Sequence, residues 1–186
     1  MHRSLHAALI LAMSFAGCGQ VSLDRQGAAV SREDVTADTT PRPTRTLSCV
    51  VAKLADGDSF TCKDGRKVRL LLMDTPELAQ RPWGMMAKER LQALAGPGTV
   101  LRLELDRTAT DRYGRTLAYA WADSVMVNER MVANGWAVVL AYENVRYLDR
   151  MQRAERAAKA GKRGFWQAWA FRCRPVDFRA RRCGKG

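Results

Sequence analysis

The sequence predicts a small five-stranded β-barrel with helices packed against it. Short β-type runs separated by tight turns begin at Leu47, and only three helical stretches interleave with them. The resulting order β-β-β-α-β-β-α-α is typical of a small barrel of the α+β class. With 186 residues, the chain is long enough for one domain with a hydrophobic core and for additional terminal segments.

The predicted strands are runs rich in β-branched and apolar residues that end at turns, namely 48–53, 59–62, 67–73, 100–105 and 116–121. The first predicted helix, 87–94, stops at Gly96-Pro97. The second, 128–134, has Asn128 as a candidate N-cap and Gly135 at its C-terminal cap. The third, 147–160, carries an apolar stripe that we expect to pack on the core, formed by Leu148, Met151, Ala154 and Ala158.

The N-terminal segment has the features of a targeting signal. A positive start at Arg3 precedes an apolar run, Leu5 to Phe15, that is too short to span a bilayer. The run ends in Phe15-Ala16-Gly17-Cys18, which resembles a bacterial lipobox, in which the cysteine is lipidated. We therefore expect a signal peptide over residues 1–17 and an exported lipoprotein anchored through Cys18 in the periplasm or cell envelope. Plain cleavage with secretion is the alternative.

Composition divides the rest of the chain into three segments. Residues 18–46 are polar and poor in aromatic side chains, as expected for a flexible linker behind a lipidated N-terminus. Residues 47–167 contain the predicted barrel. Residues 168–186 form a basic, cysteine-containing tail that could bind nucleic acid or membrane headgroups, or be a solvated end pinned by a disulfide.

The chain is strongly basic, with 31 Lys and Arg against 19 Asp and Glu and a net charge of +12. A field of this sign favours polyanionic partners such as nucleic acid, anionic lipid or acidic glycans, although it could serve only solubility. Both histidines, His2 and His6, lie in the predicted signal peptide. The mature chain would then lack Ser-His and Cys-His nucleophile pairs and His-ligated zinc, which leaves carboxylates, cationic side chains and a hard metal for any catalysis.

The remaining four cysteines form an even set suited to an oxidising compartment: Cys49, Cys62, Cys173 and Cys183. Their spacings contain no C-x-x-C pair, so zinc is not expected. The preferred pairing joins Cys49 to Cys62 across a hairpin and Cys173 to Cys183 within the tail. The alternative is a bridge that ties the tail to the barrel.

Charged side chains collect around the third predicted strand. Asp56-Gly57-Asp58 alone indicates no more than a turn. Arg69, however, stands in an otherwise apolar strand, and Asp74 and Glu77 follow just beyond the strand's end. An arginine in that position serves an anion site or a buried ion pair. Asp111, Tyr113 and Arg115 on a second glycine-containing turn could approach the same anion.

This set of residue types suits phosphodiester hydrolysis. A carboxylate can accept the proton of an attacking water. The planar guanidinium of arginine matches the charge that develops on phosphate oxygens. Ca²⁺ prefers carboxylate and carbonyl oxygens, which Asp58, Asp74 and Thr75 could supply.

Three motifs occur in an order that resembles the staphylococcal (micrococcal) nuclease family. They are Asp56-Gly57-Asp58-Ser59-Phe60, the run from Val68 to Glu77, and Asp111-Arg112-Tyr113-Gly114-Arg115. With Val127-Asn128-Glu129 and Gly164-Phe165-Trp166, the likeness covers about residues 47–167. The resemblance implies a five-stranded OB-fold and Ca²⁺-dependent endonuclease action on DNA and RNA.

The resemblance also implies a role for each matching residue. Asp58, Asp74 and the Thr75 carbonyl would bind calcium, and Glu77 would be the general base. Arg69 and Arg115 would hold the scissile phosphate, and the substrate-binding pair Arg112 and Tyr113 would hold a terminal phosphate.

The chain departs from the family pattern around the nucleotide pocket. Ala141 and Glu143 stand where the family has tyrosines, so the nucleotide preference does not follow from the resemblance. Two other functions remain open, an OB-fold module that binds nucleic acid without cleaving it and a structural surface lipoprotein. The presence of Arg69, Glu77 and Arg115 with both aspartates favours the enzyme.

Overall fold

A computed structural model of the protein describes residues 45–168 and 170–184. The predicted signal peptide, the predicted lipidation site Cys18 and nearly all of the predicted linker lie outside these residues. Across the described ranges, none of the helices combines the length and the apolar composition needed to cross a bilayer.

Of the six strands in the described residues, five form a closed barrel. The strands are β1 (Thr46–Leu54), β2 (Ser59–Cys62), β3 (Lys67–Leu70), β4 (Val100–Thr110), β5 (Thr116–Ala122) and β6 (Val125–Met126). Antiparallel pairing gives the order β3-β2-β1-β4-β5, and parallel pairing of β3 with β5 closes the barrel. The short β6 pairs with the edge of β5. The predicted five-stranded OB-fold with helices is confirmed.

The described part of the chain contains four α-helices: α1 (Trp83–Ala95), α2 (Val127–Ala133), α3 (Leu148–Ala160) and α4 (Pro175–Arg179). Two 3-10 helices, Gly164–Trp166 and Ala170–Arg172, connect α3 to α4. The first three α-helices match predicted segments, with α1 starting four residues earlier than predicted. Helix α4 was not predicted from the sequence, because a five-residue helix is too short to show helical periodicity.

Two apolar clusters hold the elements together. The larger one fills the barrel and includes Phe60, Leu103, Tyr119 and the predicted helix residue Met151. The smaller one joins the underside of α1 to the chain after α3 and contains Ala87, Val138, Phe165, Ala170 and Phe171. The C-terminal tail therefore begins as a packed part of the fold.

Strand β3 ends three residues earlier than predicted. Leu72 has a φ of 57°, in the left-handed region, so the alternation of strand faces stops before Met73. The turn directs Asp74 toward Val138, and the backbones of these two residues exchange two hydrogen bonds of 2.9 Å. The predicted strand 67–73 is therefore too long. Beyond its observed end, the turn places Asp74 within hydrogen-bond distance of Arg69.

Asn128 has a different role from the predicted N-cap, which is Met126 instead. The Asn128 side chain is fully buried in the first turn of α2. Its Oδ1 accepts a hydrogen bond from the Ala120 N–H at 2.9 Å, and its Nδ2 donates to the Leu71 carbonyl at 2.9 Å. One amide thus joins α2 to β5 and to the end of β3.

Both disulfides follow the pairing that the sequence favours. Cys49 on β1 is bonded to Cys62 on β2, and both residues are buried in the barrel core. Cys173 is bonded to Cys183, so that α4 lies inside a small covalent loop.

Candidate active site

A cleft of about 1290 Å³ gathers most of the predicted site residues. Its walls come from the end of β3, the turn between β4 and β5, the 140–144 loop and α4. Seven of the eight predicted catalytic, metal and substrate residues line it: Asp58, Arg69, Thr75, Glu77, Arg112, Tyr113 and Arg115. The eighth, Asp74, is fully buried and hydrogen-bonded to Arg69.

Arg69 links the two predicted metal-binding carboxylates. Its Nη2 lies 3.1 Å from Oδ2 of Asp58 and 3.2 Å from Oδ1 of Asp74. Its Nη1 donates a hydrogen bond of 2.8 Å to the Leu70 carbonyl, which fixes the guanidinium against its own strand. The Arg69 side chain is only 14% exposed. Arg69 is therefore held in one position by buried partners.

Backbone and side-chain donors hold Asp58 in place. Its Oδ2 accepts hydrogen bonds of 3.1 Å from both the Thr75 N–H and the Thr75 hydroxyl. Its Oδ1 accepts one of 3.0 Å from the Ser59 hydroxyl. A Cβ on Gly57 would lie 2.7 Å from the Thr75 hydroxyl oxygen, so only glycine lets these two segments approach so closely.

Negative charge is concentrated in this part of the site. Burial and the neighbouring Asp58 carboxylate raise the pKa of Asp56 to about 6. Burial also raises the pKa of Asp74, although hydrogen bonds and charge from Arg179 and Arg69 oppose the shift. Burial and like charges disfavour the ionised forms of these carboxyl groups, and a cation bound nearby would favour them.

The donor set fits a hard divalent cation. Asp58, Asp74 and the Thr75 carbonyl offer only oxygen atoms, which are the ligands that Ca²⁺ prefers. Within the described residues, no group of three or more Asp, Glu, His or Cys side chains could hold a metal. Two carboxylates and one carbonyl supply fewer oxygens than Ca²⁺ usually binds, so water or substrate oxygens would complete its coordination.

The loop after Asp74 presents Glu77 at the edge of the cleft, with 36% of its side chain exposed. The Glu77 N–H donates to Oε1 of Gln80 at 2.9 Å, and the Gln80 N–H donates back to the Glu77 carbonyl at 2.8 Å. Gly84 in the first turn of α1 packs on the same carbonyl, where a Cβ would come within 2.0 Å of the oxygen. The backbone of Glu77 is thus fixed while its carboxylate faces solvent.

The turn between β4 and β5 carries the second arginine. Oδ2 of Asp111 accepts a hydrogen bond of 2.8 Å from Arg115 Nε, and Oδ1 accepts from the N–H groups of Tyr113 and Arg115. Burial works against the charged form of Asp111, but these hydrogen bonds prevail and lower its pKa. The Arg115 side chain is 31% exposed. Asp111 therefore aims Arg115 from a turn that remains accessible.

Arg112 and Tyr113 lie at the outer end of the same turn. Arg112 Nη2 donates a hydrogen bond of 2.6 Å to the Tyr113 hydroxyl, and its guanidinium lies 4.8 Å from the centre of the tyrosine ring. Tyr113 is 66% exposed. Both residues line the cleft, and their role in binding substrate remains a prediction.

One residue of the site, Arg179 on α4, was not predicted from the sequence. Its Nη1 and Nη2 donate to the two carboxylate oxygens of Asp74 at 3.0 and 2.9 Å. Its Nη1 also donates to Oε1 of Glu77 at 2.6 Å. These contacts raise the pKa of Arg179, chiefly through Asp74 and then through Glu77. The only available signal was the number of arginines in the tail, which does not single out this one.

Comparison with known proteins agrees with the fold. The chain matches the family described as staphylococcal nuclease homologue over residues 67–168. Thermonuclease of Staphylococcus hyicus is 34% identical over 125 residues, covering 62% of this chain and 73% of that protein. Endonuclease YncB of Bacillus subtilis is 30% identical over 187 aligned residues, covering 86% of this chain and 88% of its own length. Thermonuclease of Staphylococcus intermedius is 33% identical over 129 residues, covering 64% of this chain and 76% of that protein. With its closed five-stranded barrel and this match, the chain belongs to the staphylococcal nuclease homologue family.

Proposed function

We propose that this protein is a calcium-dependent endonuclease that hydrolyses phosphodiester bonds of DNA and RNA. The observation that carries the proposal is the shared cleft, in which Glu77, Arg69 and Arg115 face one space beside the carboxylate of Asp58. Membership of the family supports nuclease chemistry, as do relatives named thermonuclease and endonuclease.

Glu77 is the general base of the proposed reaction. Its carboxylate is exposed to solvent, whereas its backbone is fixed by Gln80 and Gly84. An accessible carboxylate on a fixed backbone can accept a proton from a water aimed at phosphorus, provided that the water lies within hydrogen-bond reach. With no histidine in the described residues, carboxylates are the natural candidates for this role.

Arg69 and Arg115 bind the phosphate from two different elements that line the cleft. Arg69 belongs to the buried network around Asp58 and Asp74, while Arg115 extends from the turn between β4 and β5. Two guanidinium groups held by carboxylates before substrate arrives can stabilise charge on the phosphate oxygens with little reorganisation. This stabilisation grows as negative charge builds up during attack by water.

The proposed calcium-binding residues are Asp58, Asp74 and the Thr75 carbonyl. A Ca²⁺ held there would supply positive charge at the phosphate. Thr75 contributes twice, since its N–H and hydroxyl also orient the Asp58 carboxylate.

The substrates are polyanions, which agrees with the net charge of +12. Arg112 and Tyr113 are proposed to hold a terminal phosphate of the bound nucleotide, since together they present a guanidinium and a hydroxyl. Both stand near Arg115 on one turn, so the cleft can contact more than one phosphate along a strand.

Export to an oxidising compartment, with lipid anchoring at Cys18, is part of the same proposal. Two disulfides in one small domain are typical of exported proteins and support this location. Mass spectrometry of the protein recovered from bacterial membranes would detect the lipid on Cys18. An unmodified cysteine in that preparation would contradict the anchoring.

Glu77→Gln tests the proposed mechanism. We expect the full-length variant to cleave DNA and RNA about 10²- to 10⁴-fold more slowly than the unchanged protein, because an amide cannot accept the proton of water. The measurement is release of acid-soluble nucleotides in millimolar Ca²⁺. Glu89→Gln is the matched control, because it makes the same chemical change at an exposed position of α1.

Two results would contradict the proposal. Cleavage that continues after a chelator has removed calcium would rule out the calcium dependence. A Glu77→Gln variant as active as Glu89→Gln would rule out Glu77 as the base.

A further inference from the structure

The C-terminal tail inserts a cation into the cleft. Arg179 is more than one hundred residues away from Asp74 and Glu77 in sequence, yet its guanidinium contacts both carboxylates. Its neighbours Val176 and Ala180 line the same cleft. The contact therefore involves a face of α4 and not a single extended side chain.

The position of Arg179 conflicts with two steps of the proposed reaction. A cation that coordinates Asp74 needs a carboxylate oxygen, and both oxygens of Asp74 accept hydrogen bonds from Arg179. A general base needs a free lone pair, and Oε1 of Glu77 accepts a hydrogen bond of 2.6 Å from the same guanidinium.

We propose that Arg179 is an intramolecular competitor of the metal ion, so that the tail must leave Asp74 and Glu77 before calcium binds. This inference rests on the proposed calcium-dependent function and adds a residue that sets the calcium concentration at which the site fills. The ion and the guanidinium compete for the same oxygens, so the apparent affinity for calcium falls with the fraction of molecules in which the tail is docked.

Contacts on both sides of Arg179 hold the tail in its docked position. Nε2 of Gln80 donates a hydrogen bond of 3.0 Å to the Cys173 carbonyl, which places the start of the tail on the loop that carries Glu77. Pro175 at the start of α4 is buried. The Cys173–Cys183 bond then closes the loop around α4. A five-residue helix is not stable alone, so these anchors keep Arg179 near the carboxylates.

The docked tail is nevertheless able to leave. The Arg179 side chain is 41% exposed, and the Glu77 side chain is 36% exposed. The exposed pair with Glu77 is therefore weak. Asp74 is buried, but the partly exposed guanidinium of Arg179 can be rehydrated when a divalent cation takes its place. By linkage, calcium must weaken docking of the tail by the same factor as the tail weakens binding of calcium.

The test is a calorimetric titration of the full-length, metal-free protein with CaCl₂. If the tail is docked in most molecules, Arg179→Ala should lower the apparent Kd for Ca²⁺ about tenfold. Arg181→Ala is the matched control, because it removes the same charge from the same tail and its side chain makes no hydrogen bond or ion pair with the described residues. The control should change the Kd by less than about twofold.

A second variant tests the role of the covalent loop. Changing both Cys173→Ser and Cys183→Ser leaves Arg179 and the Cys49–Cys62 bond in place but opens the loop around α4. We expect tighter calcium binding than in the unchanged protein, by a smaller factor than for Arg179→Ala. Calcium binding as weak as in the unchanged protein would show that the disulfide does not hold the tail on the site.

Hydrogen exchange measures the reciprocal effect. Amide hydrogens of residues 176–183 should exchange faster when Ca²⁺ is added to the unchanged protein. In Arg179→Ala these amides should exchange fast with and without the ion. An Arg179→Ala variant that binds calcium no more tightly than Arg181→Ala would overturn the inference.

The results separate this inference from the proposed function. Tighter calcium binding by Arg179→Ala without any cleavage of nucleic acid would support the competition and contradict the nuclease proposal. Calcium-dependent cleavage with equal calcium affinities in Arg179→Ala and Arg181→Ala would support the nuclease proposal and contradict the competition. Absence of calcium binding in every variant would overturn both the competition and the calcium dependence.

Discussion

The two arginines proposed to bind phosphate occupy contrasting surroundings. On the inner side of the cleft, which we define as Asp58, Arg69 and Asp74, the arginine is 14% exposed and its two carboxylate partners are buried. On the outer side, defined as Asp111, Tyr113 and Arg115, the arginine is 31% exposed and its partner is a neighbour in the same turn. The same type of side chain is thus positioned by tertiary packing in one case and by local hydrogen bonds in the other.

This contrast indicates that stability and catalysis are coupled on the inner side and separable on the outer side. Removing one member of a buried ion pair leaves its partner charged and unpaired, which is costly. A solvent-exposed pair contributes little to the free energy of unfolding, since water replaces the lost contact. Substitutions on the two sides should therefore differ more in their effect on folding than in their effect on cleavage.

Arg69→Met should have the largest combined effect. Asp58 and Asp74 would lose the guanidinium that they share, and we expect the free energy of unfolding to fall by about 3 kcal/mol. Loss of the phosphate contact should also lower the cleavage rate by about 10³-fold. Urea denaturation and a nuclease assay measure the two effects. Arg69→Lys should recover part of the stability but little activity, and an Arg69→Met protein as stable as the unchanged one would contradict the buried network.

Arg115→Met should affect cleavage almost alone. The phosphate would lose its outer cation, so the cleavage rate should fall by about 10²- to 10³-fold. The free energy of unfolding should change by less than about 1 kcal/mol, because the Asp111–Arg115 pair is partly exposed. A loss of stability equal to that of Arg69→Met would show that the two sides of the cleft are not different in this respect.

Asp111→Asn should have the smallest effect of the three. The variant keeps Arg115 but removes the charge that aims it, and we expect kcat/KM to fall about tenfold from the poorer geometry. Asp64→Asn is a suitable control, since Asp64 accepts hydrogen bonds from Arg66 in the turn between β2 and β3, away from the cleft-lining residues. Unchanged kcat/KM in Asp111→Asn would mean that Arg115 does not need its aspartate for orientation.

The barrel could be predicted because its signals are local. Alternating residues and turns identified all five barrel strands, and the β2 limits agree with the predicted ones. The early end of β3 could not be predicted, because a leucine at φ 57° is disfavoured locally and is maintained by tertiary packing. The role of Asn128 could not be predicted either, because it also depends on tertiary contacts. Asparagine is common at helix starts, which favoured a cap, but the hydrogen-bond partners of Asn128 are Ala120 and Leu71 in other parts of the fold.

The candidate site also contains residues that a local motif predicts and one residue that only tertiary packing brings there. Asp58, Asp74 and Glu77 stand within twenty residues of one another, so their order along the chain is a recognisable motif. Arg179 reaches them from the far end of the chain, where Phe171 and Pro175 are buried. No spacing or periodicity in the tail predicts that approach, because it depends on tertiary packing such as that of Phe171 in the cluster with Ala87 and Phe165.

The contact between Gly84 and the Glu77 carbonyl limits how this site could be transplanted to another scaffold. A side chain at position 84 would collide with that oxygen, so the loop that carries Glu77 can pack on α1 only if residue 84 is glycine. Gln80 makes two further hydrogen bonds to the backbone of Glu77 in the same loop. A grafted version that copied only the carboxylates and arginines would leave Glu77 on an unsupported loop. The smallest portable unit on this side of the cleft therefore runs from Asp56 to Gly84, with its glycines included.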